Sequence, residues 1–153
     1  MRLGSGEVVI DRYRSHLHPE VVAILSEALM RVQGGEVFIV AEIEFGRPVG
    51  ESICVPTQDG DEIVFAKRPR RFGYTRFVKN RRPESCDSVV VILKRDDHED
   101  YYVLVTAFIG RRAEPEPWDR NATANSRAFW NSHALVWGGE STIPGTETTE
   151  CPW

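Results

Sequence analysis

The stretch Asp87 to Lys94 constrains this chain most. Val89, Val90, Val91, Ile92 and Leu93 follow one another with no polar residue between them. β-Branched side chains crowd a helix but fit a pleated strand. A short run that is apolar on both faces reads as a central strand covered on both sides. Asp96-Asp97-His98-Glu99-Asp100 makes a solvated turn, and Tyr101 to Ile109 is a second β-rich run. The two runs predict an antiparallel hairpin, and the rest of the fold has to supply it with neighbours.

The neighbours are also legible. His18-Pro19-Glu20 opens a helix, because proline suits the first helical turn and an acidic side chain suits the positive end of the dipole. Val21, Val22, Leu25, Leu29 and Val32 recur at helical spacing, and Gly34-Gly35 ends the element. Glu36 to Phe45 alternates, with Val37, Ile39, Ala41, Ile43 and Phe45 on one face. Further strands are expected at 51–55, 62–67 and 74–78, and a short helix at 124–134 with Asn121 or Thr123 as its cap. Residues 1–10 read as a lead-in or edge strand. The order is one helix, a run of strands, then a short helix, which predicts an α+β fold. The expected form is an N-terminal helix followed by a mainly antiparallel, twisted, five- to six-stranded sheet and a short C-terminal helix. A single domain is drawn over 1–140, with a flexible tail over 141–153, where Gly, Ser, Thr and Pro accumulate.

The chain has 153 residues, 41% of them hydrophobic, which is ordinary for one globular domain. No apolar run approaches the ~20 residues of a membrane span, and the first residues lack the apolar stretch of a signal peptide. Cys54, Cys86 and Cys151 are widely spaced and odd in number, so they read as reduced thiols in the role of small buried hydrophobes. A cytoplasmic protein is expected, and no metal or cofactor is implied.

Charge is segregated. Between Lys67 and Arg82 stand Lys67, Arg68, Arg70, Arg71, Arg76, Lys79, Arg81 and Arg82, with no acidic residue among them. Removing those eight charges takes the net −4 of the chain to −12. A local positive field of this kind attracts polyanions even on an acidic molecule. Phe72, Tyr74 and Phe77 are interleaved with these cations. Arginine forks bind phosphates and aromatic rings stack on unpaired bases, so Lys67, Arg68, Arg70, Arg71, Tyr74, Arg81 and Arg82 are candidate nucleic-acid contacts. The alternative is a solvated basic loop beside a half-buried strand.

Two histidines, His16 and His18, stand at the mouth of the first helix, and in extended chain they share a face. Histidine exchanges protons near neutral pH; two ligands are fewer than a zinc site needs. The alternative is a pair of surface histidines beside a cap. His133, beside Trp130 and Asn131, reads more simply as a packed side chain of the second helix, and His98 as exposed in the acidic turn. No Walker loop, dinucleotide glycine motif, nucleophile elbow or His-Glu-x-x-His occurs.

At Thr75-Arg76-Phe77-Val78-Lys79, Val89 to Lys94, and Tyr102-Val103-Leu104-Val105-Thr106-Ala107-Phe108-Ile109-Gly110, the chain resembles the barnase–EndoU–colicin–RelE superfamily of small metal-independent ribonucleases. Members place a helix before an antiparallel sheet. The resemblance implies cleavage of RNA by attack of the ribose 2′-hydroxyl on the adjacent phosphorus. It implies His16 or His18 as base or acid, Arg76 and Lys79 on the phosphate with Arg71 as a further contact, and Thr106 donating to a phosphate oxygen. Two other readings stand beside it. One is a non-catalytic module binding RNA or another polyanion through 67–82. The other is a protein-binding factor with an exposed apolar patch around Trp118, Phe129 and Trp130.

Overall fold

The computed structural model describes residues 6–153; residues 1–5 of the expected lead-in lie outside the described residues. The strands are β1 (Val8–Val9), β2 (His16–Leu17), β3 (Phe38–Glu44), β4 (Gly50–Ser52), β5 (Cys54–Pro56), β6 (Ile63–Lys67), β7 (Tyr74–Val78), β8 (Glu84–Cys86), β9 (Ser88–Arg95), β10 (Tyr102–Ile109) and β11 (His133–Val136). The helices are α1 (Val22–Met30), preceded by a 3-10 turn over Pro19–Val21, and α2 (Ser126–Ser132). The protein is therefore mixed α and β, mostly strand, with two short helices. No helix among the described residues is long and apolar enough to cross a membrane.

The chain folds into two compact units. The first runs to Glu51 and resumes over Ser85–Arg112; the second takes Ser52–Glu84 and Ala113–Trp153.

The first unit is organised by the expected hairpin. β9 and β10 pair antiparallel, β3 pairs antiparallel with β9, and β1 and β2 pair parallel with β10. The ladder of β10 shifts register between Leu104 and Thr106. A bulge of this kind turns the following side chains relative to the preceding ones. One sheet face, with Ile39, Ile43, Val89, Val91, Leu93, Leu104, Ala107 and Ile109, packs with Val21, Leu25, Ala28, Leu29 and Val32. Val22, expected on the buried stripe, is exposed. Consecutive helical residues point about 100° apart, and Val21 takes the core position. Val37 is likewise exposed, one residue ahead of β3.

The second unit holds a mixed sheet in the order β5-β11-β7-β6. β6 and β7 form an antiparallel hairpin, with Phe77 fully buried opposite Val64. β11 runs parallel to β7 and antiparallel to β5. The strands of the chain are thus divided between separate sheets, where a single sheet of five or six was expected. The reason is β11: the helix expected over 124–134 ends at Ser132, and His133–Val136 enters the sheet and gives β7 a partner other than β9. Phe77 and Leu135 join Val64, Ala66 and Trp130 in one cluster, while Val55, Val78, Ala134 and Val136 form another.

The segment drawn as a flexible tail lies along β6 in this unit. Ile143 N donates to Lys67 O at 2.8 Å, and Phe65 and Thr148 exchange backbone hydrogen bonds at 2.7 and 2.8 Å. The Trp153 ring meets Phe65 edge-on at 5.2 Å, and its Nε1 donates to Asn131 Oδ1. β6 is the last strand of its sheet, and the backbone groups on its outer side, which an edge would otherwise leave unpaired, are taken up by this extended segment.

Candidate functional site

In the first unit, β2 places His16 directly beside Thr106 of β10. Leu17 packs on the core, so His16 and His18 on either side of it point the other way. Their rings meet edge-on with centroids 4.7 Å apart, and His18 stands 6.3 Å from the ring of Phe108. His18 Nδ1 is 3.8 Å from Glu20 Oε1. Thr106 pairs with Ile92, which is only partly buried and lies outside the core cluster. The two imidazoles, the threonine hydroxyl and the Phe108 ring therefore share the outer face of this sheet. Lys94 is two residues along β9 from Ile92 and opposite Val103, so it is on that face too. It is exposed, and it makes no ion pair among the described residues.

Beyond this row is a cleft of about 340 Å³, lined by Arg14, Lys94, Asp96, His98, Val103 and Val105 among others. Asp96 is the organising group of the β9–β10 turn. Its Oδ2 accepts from Arg14 Nη1 at 2.9 Å, and its Oδ1 accepts from the His98 and Glu99 amides. Chiefly the Arg14 bond, and after it the His98 amide, bring its carboxyl down to about 2. Asp11 is held below the usual carboxylate range by the Tyr13 and Arg14 amides and by the Arg14 guanidinium. Arg14 is therefore shared between two carboxylates.

The basic segment lies in the second unit, and much of it is already engaged. Arg68 Nη2 donates to Glu116 at 2.6 Å and its Nε to Thr75 Oγ1 at 3.0 Å; Thr75 in turn donates to Glu116 at 2.5 Å. Arg81 pairs with Asp61 and Glu84. Lys79 pairs with Glu147 at 3.0 Å and stands 4.7 Å over the Trp137 ring. Lys67 stands 5.7 Å from the Tyr74 ring. Arg76 is half-buried, its Nη1 donating to Thr57 Oγ1 and His133 O, and burial lowers its basicity. Arg70, Arg71 and Arg82 are exposed and form no ion pair among the described residues. Spacing along a chain shows the density of cations, whereas their carboxylate partners, Glu116 and Glu147, are remote in sequence.

The structure thus brings together His16, His18 and Thr106. Arg76 and Lys79 fall in the other unit. Phe108 and Lys94 were not singled out in sequence, although Phe108 follows Thr106 by two in a strand and Lys94 follows Ile92 by two, which is enough to set them on one face. His133 is a packed residue: its ring stacks on Phe129 at 4.0 Å, and its Nδ1 meets Phe129 O. It opens β11 rather than ending a helix. Of the apolar patch expected at Trp118, Phe129 and Trp130, the first two are half-buried and Trp130 is 5% accessible, with its Nε1 donating to Glu114 O. Of the cysteines, Cys86 is buried, Cys54 half-buried and Cys151 exposed. Among the described residues no group of three or more His, Cys, Asp or Glu side chains is placed to hold a metal. Comparison with protein families, with curated proteins and with solved structures finds no match to this chain.

Proposed function

We propose that the chain is a metal-independent endoribonuclease, with the outer face of the first unit as its reaction surface. The observation that carries the reading is the pair of imidazoles in ring contact at 4.7 Å with Thr106 beside one of them. Transesterification needs two proton carriers on one substrate. One takes the 2′-hydroxyl proton as the 2′-oxygen bonds to phosphorus; the other protonates the 5′-oxygen as the P–O5′ bond breaks. The products are a 2′,3′-cyclic phosphate and a 5′-hydroxyl. His16 and His18 take these roles, Thr106 donates to a phosphate oxygen, and Lys94 supplies positive charge on the same face. Phe108 offers an apolar surface to a base. The finer likeness to the barnase–EndoU–colicin–RelE superfamily, with a helix ahead of an antiparallel sheet, belongs to this proposal. So does an RNA partner for the cations at 67–82.

The test is cleavage of a mixed-sequence fluorescent RNA in EDTA. Wild type is expected to leave cyclic-phosphate ends, and His16→Ala and His18→Ala each to lose about 10²–10⁴-fold, the usual contribution of a positioned acid or base. Full activity in both variants would overturn the assignment. A second reading, RNA binding without cleavage, rests on the exposed Arg70, Arg71 and Arg82; salt-sensitive RNA retention by a wild type that cuts nothing would favour it.

A further inference from the structure

The β6–β7 hairpin carries a feature that the histidine chemistry does not use. Its register pairs Lys67 with Tyr74, so the connecting loop is 68–73. The base of the loop is pinned from below. Arg68 is locked to Glu116 and Thr75, Gly73 is packed so closely on Trp118 that a Cβ would lie 2.1 Å from its Cγ, and Ile143 N holds Lys67 O. The tip points outward: Arg70, Arg71 and Phe72 are exposed, and Phe72 keeps 92% of its surface in water. Arg70 has φ 62°, the one non-glycine residue with positive φ among those described. Left-handed backbone is unfavourable for an ordinary residue, because its Cβ crowds the following carbonyl oxygen. A chain selected for solubility alone gains nothing from a bare phenylalanine directly after two exposed arginines, the first in left-handed backbone.

We infer that this tip binds single-stranded nucleic acid, with Phe72 stacked on an unpaired base and Arg70 and Arg71 on the flanking phosphates. This rests on the ribonuclease reading only in expecting a polynucleotide ligand. A duplex keeps its bases stacked on one another and presents no free ring face to Phe72, so the single strand is the better fit. Stacking accepts any base and does not read the 2′-hydroxyl, so RNA and DNA single strands share the chemistry. Because the base of the loop is fixed by buried contacts, little order has to be acquired on binding.

The experiment is fluorescence anisotropy of labelled dodecamers, oligo(U) and oligo(dT), with the full chain carrying H16A and H18A, in EDTA. A hairpin duplex is the competitor. Phe72→Ala is expected to weaken single-strand binding by about 5- to 150-fold, the range of one lost base–aromatic stack, and Phe72→Trp to retain it. Arg70→Gly with Arg71→Ala is expected to reduce the slope of log K against log salt by about 1.4, two phosphate contacts at ~0.7 each. Binding of oligo(U) but not oligo(dT) would place the 2′-hydroxyl in the contact and overturn pure stacking. Unchanged affinity in F72A, or equal affinity for duplex, would overturn the proposal. All these readouts are of binding, so an absence of cleavage by wild type would sink the nuclease reading while leaving this one standing.

Discussion

Glu116→Ala tests the framework beneath the hairpin tip. The carboxylate is 7% accessible and accepts from Thr75 Oγ1 at 2.5 Å and Arg68 Nη2 at 2.6 Å. The Arg68 side chain is itself 13% accessible. Truncation would leave a guanidinium with little water and, as its nearest remaining carboxylate, Glu140 at 3.9 Å. Removing one partner of a buried ion pair costs about 3–5 kcal/mol. The residual exposure of Arg68 and the proximity of Glu140 place this case near the lower end, at about 3 kcal/mol. Replacing both partners, Arg68→Met with Glu116→Leu, leaves no uncompensated charge and should cost well under the sum of the single changes. The assay is urea unfolding followed by tryptophan fluorescence. All four tryptophans, Trp118, Trp130, Trp137 and Trp153, lie in the second unit, so the signal reports that unit. A loss below about 1 kcal/mol in E116A, the level of an exposed pair, would refute the reasoning. So would additivity of the two single changes within about 0.5 kcal/mol.

Other outcomes follow from the same structure. Gly73→Ala should destabilise the second unit by about 1–3 kcal/mol, an ordinary overpacking cost, because the new methyl meets Trp118; an unchanged urea midpoint would count against that packing. Asp96 has its carboxyl lowered from 3.8 to about 2, so its contribution is present above pH 3.8 and is lost as pH falls toward 2. Melting temperature should drop across that window, and less so in Asp96→Asn; equal drops would exclude Asp96 as the cause. Burial, and after it Glu116, push the Cys54 thiol up to about 11. At neutral pH a thiol reagent should therefore label Cys151 first, and rapid labelling that persists in Cys151→Ser would contradict this.

How much was legible in the sequence differs by element. Local patterns carried the strands: the apolar run at Val89–Leu93, the alternation around Ile39 and Ile43, and the hairpin turn at Asp96–Asp100 all report which backbone conformation buries which face. The helix entry at Pro19 was legible for the same reason. His16 and His18 were found because proton carriers beside a helix mouth stand out in a chain with four histidines, and Thr106 only through the resemblance carried by residues 102–110. These are properties of neighbours in sequence.

Pairing between distant segments was decided only by the tertiary structure. Nothing in His133–Val136 announces a strand inserted between β5 and β7, because four apolar-leaning residues suit either conformation until a sheet offers partners. Nor does the density of cations at 67–82 reveal that Arg68, Lys79 and Arg81 are matched by Glu116, Glu147 and Asp61, since Coulomb attraction acts through space. The chain by itself determined the strand-rich character, the positive segment and the residue types available for chemistry. Folding decided which arginines are neutralised, which three residues remain free at the hairpin tip, and that two histidines and a threonine meet on one face.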